Sequence, residues 1–230
     1  MVFQHFGLFP HRRIVDNVAF GMEVQGIDKE TRMARADEVL EVVGLGGMGN
    51  AYPDELSGGM QQRVGLARAL CTDPEIMLFD EPFSALDPLI RRDMQDEVVR
   101  LQRELRKTMI FITHDLMEAL KLGDRIAIMK DGRFVQIGTP EEVVAHPADD
   151  YVADFTRDVP RAHVLTVRTI MRATNGETDY AGDIAAATIV QEVLPLMVTS
   201  DRPYRVVEGA EQVGILDRAA VLTAMMESAG

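Results

Sequence analysis

The feature that most constrains this chain is a short apolar run that ends on two carboxylates, Ile76-Met-Leu-Phe-Asp-Glu81. Four consecutive apolar residues after Pro74 predict a strand buried on both faces, as in a parallel sheet, although periodicity alone leaves a helix open. In an open parallel sheet, ligands bind beyond the carboxyl ends of the strands. Asp80 and Glu81 are therefore expected at a ligand-binding edge, unless they are solvated acids that only cap a strand before a turn.

The sequence around this run suits phosphate chemistry. One carboxylate can hold Mg²⁺ through water, and a second can orient the water that attacks a phosphate. Upstream, Ser57 is a favoured N-cap, and two glycines after it would let a phosphate approach the free amides of a helix running to about Leu70. Downstream, the strand predicted at Met109-Ile-Phe-Ile112 is followed by His114, whose imidazole can donate to a phosphate and reorient with it.

In order and spacing, these motifs resemble the ATP-binding cassette ATPases, the motor subunits of ABC transporters. The resemblance implies an α/β fold, namely a P-loop NTPase domain with a parallel core sheet and a helical subdomain, and it implies ATP and Mg²⁺ as cofactors. The positions that match the family's motifs are Glu81 as the catalytic glutamate, His114 as the switch histidine, Asp80 as the Walker B aspartate, Gln4 as the Q-loop glutamine, Ser57, Gly58, Gly59 and Gln61 in the signature motif, and Asp87 in the D-loop. By the same resemblance, Asp80 and Gln4 would organise Mg²⁺ through water.

The phosphate-gripping motif of the family, G-x-x-x-x-G-K-[ST], is missing. Segments 21–26 and 44–49 have the glycine spacing, but Ile27-Asp28 and Asn50-Ala51 follow where lysine and Ser/Thr belong. The chain thus resembles an N-terminally truncated cassette, and we expect little or no ATPase activity from it alone. The rival interpretation is a non-catalytic fragment that docks on a permease or pairs with a full-length ATPase as a regulatory partner.

Local patterns predict several further elements. Asp28 can cap a helix whose apolar residues share one face, and Asp87-Pro88 starts another helix. A β-hairpin with a type I′ turn at Asp131-Gly132 should precede a capping box at Thr139-Pro-Glu-Glu142. By resemblance, residues of about 5–70 form the helical subdomain that docks on the transmembrane subunit. The candidate docking residues, which local core packing would explain equally well, are Phe6, Leu8 and Phe9.

Past about Val159, the resemblance to the cassette ends. Residues 187–226 read as a helix, a strand, a turn, a strand and a final helix from Arg218 to Met226, which resembles a single small α+β CBS module. We therefore expect two domains, the cassette at 1–158 and a CBS-like domain at 159–230. With the N-terminal stretch Met1 to His11, this arrangement resembles the ATPase subunits of glycine betaine/proline (quaternary amine) importers.

The composition limits the classes of partner that this chain is expected to bind. A net charge of −13 disfavours binding to nucleic acid, which argues against the branch of the superfamily that acts on ribosomes or DNA. Cys71 is the only cysteine, which fits a reducing compartment, and we expect it to be buried at a helix end. No apolar run in the sequence is long enough to span a bilayer. The resemblance implies a permease subunit, a second ATPase subunit and a periplasmic or lipoprotein solute-binding protein as partners. It places the chain on the cytoplasmic side of the inner or plasma membrane, attached through the permease.

Overall fold

The computed structural model describes residues 1–2, 7–174 and 176–226, which form a mixed α/β chain. The helices are α1 (Ile14–Val24), α2 (Lys29–Val42), α3 (Gly58–Cys71), α4 (Pro88–Leu105), α5 (Leu116–Leu122), α6 (Pro140–Ala145), α7 (Asp150–Thr156), α8 (Val167–Ile170), α9 (Val190–Thr199) and α10 (Arg218–Met226). The strands are β1 (Ile76–Asp80), β2 (Thr108–Ile112), β3 (Ile126–Lys130), β4 (Arg133–Gly138), β5 (Asp183–Ala185), β6 (Tyr204–Glu208) and β7 (Glu211–Leu216). Short 3₁₀ turns lie at Pro53–Glu55 and Arg161–His163.

The chain divides into two compact units, Met1–Glu118 and Ala119–Gly230, and the division falls within α5. The sequence predicts a domain boundary at a different place, between residues 158 and 159, and that boundary stays a prediction.

Three mutually packed helices, α1, α2 and α3, form the N-terminal part of the first unit. The predicted caps are confirmed, since Asp28 accepts a hydrogen bond from the Thr31 amide and Ser57 accepts one from the Met60 amide. Phe9 packs edge-on against Phe20 at a centroid distance of 4.7 Å, which favours local packing for this residue. Phe6, the other aromatic docking candidate, lies outside the described residues.

The parallel pair β1 and β2 is the sheet of the first unit, and Val2 bridges β1 at Phe79. On one face Met77 and Phe79 are buried, and Phe79 stacks on Phe111 at 4.2 Å. The prediction that β1 is buried on both faces is wrong, because Ile76 and Leu78 are 55% and 43% exposed. A strand is buried on both faces only when layers cover both sides of the sheet, and the described residues cover one.

Helix α4 follows the β1 turn as the sequence predicts. Asp87 caps it by accepting from the amides of Leu89 and Ile90 at 3.2 and 3.1 Å, with Pro88 at the first helical position. The buried side of the helix carries Met94, Val98 and Leu101. Cys71 is buried at the end of α3, as expected for a small apolar residue.

The second unit contains the hairpin β3–β4 and the three-stranded sheet β5-β6-β7. Asp131 and Gly132 both have positive φ, 51° and 74°, which confirms the type I′ turn. Thr139 and Glu142 exchange the two hydrogen bonds of the predicted capping box. The predicted order of helix, strand, turn, strand and helix in the tail is confirmed by α9, β6, β7 and α10. The sequence analysis missed β5, a three-residue strand parallel to β6.

Among the residues that the structure describes, no helix combines the length and the apolar character needed to cross a membrane.

Candidate functional site

The carboxyl ends of β1 and β2 bring two of the predicted site residues into contact. The strands run parallel, with Asp80 paired to Ile112, so the residues that follow them emerge at the same edge. Glu81 Oε1 lies 2.6 Å from His114 Nδ1 and also accepts a hydrogen bond from the His114 amide at 3.1 Å. The Glu81 side chain is 23% exposed and that of His114 is 79% exposed. A carboxylate and an imidazole therefore lie together at the solvent-facing end of the sheet.

The Glu81 backbone adopts the left-handed conformation, with φ of 47°. For a residue other than glycine this costs about 1–2 kcal/mol, so neighbouring contacts must hold it. The Glu81 amide donates to the Ile112 carbonyl at 2.9 Å, and the Ser84 hydroxyl donates to the Glu81 carbonyl at 2.9 Å. These bonds fix the turn after β1 and aim the Glu81 carboxylate at His114.

The electrostatics of this pair favour the protonated imidazole. The hydrogen bond that the imidazole donates to Glu81, and then the negative charge of Glu81, raise the pKa of His114 above its usual 6.5. A protonated His114 is a donor at both ring nitrogens, which suits contact with a phosphate. Glu81 in turn is held within hydrogen-bonding distance of a group that can take or return a proton.

The predicted signature residues lie at the start of α3. Ser57 accepts from the Met60 amide at 3.4 Å, which is a long capping bond, and its hydroxyl has room for another partner. Gly59 is buried against α4, where a Cβ atom would lie 2.6 Å from Ile90 Cγ2. Gln61 reaches back to the loop before α3 and donates to the carbonyls of Pro53 and Leu56. In this structure Gly59 and Gln61 therefore have packing and loop-holding roles.

The remaining predicted positions differ in their surroundings. Asp80 is the last residue of β1, and its amide donates to the Val2 carbonyl at 2.9 Å. Asp87 is engaged as the cap of α4. Gln4 lies outside the described residues. Within the described ranges, no three His, Cys, Asp or Glu side chains gather as a metal-ligand cluster. A single carboxylate such as Asp80 still fits Mg²⁺, which is commonly held by one or two carboxylates together with water and substrate phosphates.

Sequence reasoning missed a buried polar network beside His114. Glu118 is 5% exposed and accepts from the Thr113 hydroxyl at 2.8 Å and from Gln95 Nε2 at 3.3 Å. Asp115 donates its amide to the Thr113 hydroxyl and caps α5. The spacing Asp115-x-x-Glu118 resembles a capping pattern and was the available signal. A second missed residue is Gln62, which is buried and donates to the Pro82 carbonyl beside Glu81.

Comparison with known proteins is consistent with this site. The sequence model of the family described as ABC transporter matches residues 1–84. The chain is 55% identical to the glycine betaine transport ATP-binding protein OpuAA of Bacillus subtilis, covering 84% of this chain and 46% of that protein. It is 49% identical to the trimethylamine N-oxide transport system ATP-binding protein TmoW of Ruegeria pomeroyi, covering 99% of this chain and 67% of that protein.

A third relative, the glycine betaine/proline betaine transport system ATP-binding protein ProV of Escherichia coli, is 48% identical over 100% of this chain and 57% of its own length. The chain thus spans between about half and two thirds of the length of these three relatives. Identity of this level over nearly the whole chain, together with the matching family model and the Glu81–His114 pair, establishes the relationship. The chain belongs to the family of ABC transporter ATP-binding subunits.

Proposed function

We propose that this chain contributes ATP binding and hydrolysis to an importer of glycine betaine, proline betaine or a related osmoprotectant. The observation that carries the proposal is the contact between Glu81 Oε1 and His114 Nδ1 at 2.6 Å, at the carboxyl edge of a parallel strand pair. A carboxylate and an imidazole at that edge are the two groups needed to orient a water molecule and to hold a transferred phosphoryl group.

The proposed roles are those of the family motifs that these residues match in the sequence. Glu81 polarises the attacking water, and His114 donates to the γ-phosphate. Asp80 and Gln4 would hold Mg²⁺ through water, and the bound ion would supply positive charge opposite the phosphate oxygens. Ser57, Gly58 and Gly59 act in trans, presenting the N-terminal amides of α3 to ATP held on the opposite subunit, with Gln61 and Asp87 supporting the two loops. Closure of two cassettes around two ATP molecules drives the permease.

The proposed substrate class rests on the relatives. Two of them are named for glycine betaine or proline betaine and one for trimethylamine N-oxide, all of which carry a fully substituted nitrogen. The proposed partners are a permease subunit, a second ATPase subunit and a solute-binding protein. Attachment to that permease would place the chain on the cytoplasmic face of the membrane.

We also propose that the cassette ends near 158, and that residues 159–230 form a single CBS-like module. The order α9, β6, β7, α10 supports the second part, because it is the order that such a module predicts.

The 230 residues contain no G-x-x-x-x-G-K-[ST] segment, so we propose that this polypeptide alone hydrolyses little or no ATP. The test is an ATPase assay with Mg²⁺ and ATP on the purified chain, beside its Glu81→Gln variant. Equal rates at background level support the proposal. Hydrolysis that disappears in Glu81→Gln and persists in Glu38→Gln, an exposed carboxylate on α2, overturns it.

The same missing segment favours a second candidate function, a regulatory partner of a P-loop-bearing cassette. In a mixed pair, the ATP bound by the partner's P-loop would face Ser57, Gly58 and Gly59 of this chain. Glu81 would belong to the other site, which has no P-loop. Gly58→Asp should therefore abolish hydrolysis by the mixed pair, and Glu81→Gln should leave it unchanged.

The intact mass of the protein from its source cells distinguishes the two candidates. A mass near 25.5 kDa supports the regulatory candidate. A mass larger by roughly 10 kDa, with hydrolysis that is lost in Glu81→Gln, supports the motor subunit, because a P-loop then lies in the same polypeptide.

A further inference from the structure

The turn that carries Glu81 needs an external restraint. Its φ of 47° lies in the left-handed region, and the next residue is Pro82. A residue before proline prefers extended backbone, and a residue with a side chain avoids positive φ. Both preferences would move Glu81 away from the conformation that aims its carboxylate at His114.

One buried side chain from another element holds this turn. Gln62 lies on α3, is 2% exposed, and donates from Nε2 to the Pro82 carbonyl at 2.6 Å. Proline has no amide hydrogen, so this carbonyl is the one backbone hydrogen-bonding group that Pro82 offers. The bond joins residues 20 positions apart, and it fixes the peptide group between Pro82 and Phe83, one residue beyond Glu81.

The oxygen of the Gln62 side-chain amide makes no comparable hydrogen bond. Its Oε1 is buried and has no hydrogen-bond partner within residues 1–2, 7–174 and 176–226. A buried amide with one unsatisfied oxygen is a poor stabiliser, because the oxygen has lost its water without gaining a donor. An unbranched apolar side chain of the same length would remove this unsatisfied oxygen but leave the Pro82 carbonyl without its donor, so the two effects should nearly cancel and the net cost in stability should be small. The specific contribution of glutamine is therefore the bond to Pro82.

We propose that Gln62 is a positioning residue for the catalytic carboxylate, which it holds in the left-handed conformation through the Pro82 carbonyl. This inference rests on the proposed function for the role of Glu81. Gln62 lies three positions after Gly59, on the helix whose N-terminus would bind the phosphate of the opposite subunit. A displacement of α3 by that phosphate is transmitted to the Glu81 turn of the same chain, so the bond couples the two ATP sites of a cassette pair.

The test is amide hydrogen exchange on the full chain without nucleotide, comparing the parent with Gln62→Met. We expect the melting temperature to be nearly unchanged, while the amides of Glu81 and His114 exchange about tenfold faster or more, because the turn that pairs them opens locally. The Met77 and Phe111 amides, in the strands just before this edge, serve as internal controls and should keep their rates. Gln212→Met, which removes an amide from the second unit, is the matched control and should leave all four rates unchanged.

Three results would overturn the inference. The first is an exchange rate at the Glu81 and His114 amides within about twofold of the parent's. The second is an equal increase in exchange rate at all four amides, which indicates a purely structural role for Gln62. If Gln62→Met does not fold, Gln62→Leu, an apolar side chain of similar volume that also lacks the donor, is measured in its place. Failure of both variants to fold is the third, because it assigns Gln62 to the core.

The exchange experiment is independent of ATP turnover, so its outcome is separate from that of the proposed function. In an assembly that hydrolyses ATP, Gln62→Met should lower kcat by about tenfold or more with KM within about twofold, as expected when the nucleophile is misaligned and nucleotide binding is kept.

Discussion

Glu141 offers the sharpest quantitative prediction, because one carboxylate oxygen carries several hydrogen bonds. Its Oε1 accepts from the amide and the hydroxyl of Thr166, both at 2.7 Å, and from the hydroxyl of Thr169. Glu141 belongs to α6, in the segment that we assign to the cassette, whereas both threonines belong to the segment that we assign to the CBS-like module. All three residues lie in the second unit, so this carboxylate ties the tail to the hairpin region.

The magnitude follows from the nature of these bonds. A hydrogen bond to a charged group contributes about 1.5–3 kcal/mol, but bonds that share one acceptor are not additive and this carboxylate is partly exposed. Removing it in Glu141→Ala leaves the Thr166 amide without its acceptor, so we expect the free energy of unfolding to fall by about 2–3 kcal/mol. The corresponding loss in melting temperature is about 4–12 °C. Glu141→Gln keeps one acceptor oxygen and should lose about half as much.

The effect should depend on pH with a definite sign. Burial alone would raise the pKa of Glu141, but the hydrogen bonds from Thr169 and Thr166 outweigh it and hold the pKa below its usual 4.5. Because the folded pKa is lower than the unfolded one, the stabilisation is present in full above that usual value and is lost as the pH falls below it. The difference in free energy of unfolding between the parent and Glu141→Ala should therefore become smaller under acidic conditions.

The assay is equilibrium unfolding in urea at neutral pH and again near pH 4, followed by calorimetry. Glu38→Ala is the matched control, since Glu38 is an exposed helical glutamate paired with Arg35 at 3.0 Å, and the substitution should lower the free energy of unfolding by no more than about 0.5 kcal/mol. The reasoning is refuted if Glu141→Ala loses no more free energy of unfolding than the control does. It is also refuted if Glu141→Ala loses much more than the control and the loss is the same at both pH values.

Three further predictions concern the first unit. In Glu81→Gln, the pKa of His114 should fall towards 6.5, because the hydrogen bond and the negative charge that raise it are weakened; an NMR titration of the imidazole checks this, and an unchanged midpoint contradicts the pairing. Gly59→Ala should lower the free energy of unfolding by about 1–2 kcal/mol, since its Cβ would meet Ile90 Cγ2 at 2.6 Å, and Ile90→Ala should relieve that loss in a double-mutant cycle. A Gly59→Ala loss that persists undiminished beside Ile90→Ala would point to another cause. Cys71 should react with a thiol reagent far more slowly than free cysteine, because burial raises the pKa of its thiol; fast labelling of the native protein would contradict that burial.

The local elements of the first unit were predictable because their signals lie within a few residues of each other. Asp28, Ser57 and Asp87 each cap the helix that begins directly after them, as their side chains dictate. The same holds for the turn at Asp131-Gly132, where two positive φ values suit Asp and Gly. The pairing of Glu81 with His114 was predictable only through motif order, since 33 residues separate them.

The sequence by itself determined most of the helices and strands, although not the short strand β5, and it determined which residue types stand at the carboxyl ends of β1 and β2. The tertiary structure alone decided the contacts between distant segments, namely the bond from Gln62 to Pro82, the network of Glu118 with Thr113, and the attachment of Glu141 to the tail. It also decided that one face of β1 is exposed, which four apolar residues in a row had not predicted. The physical reason is that caps and turns are satisfied by neighbouring backbone groups, whereas burial and buried hydrogen bonds depend on which surfaces the folded chain brings together.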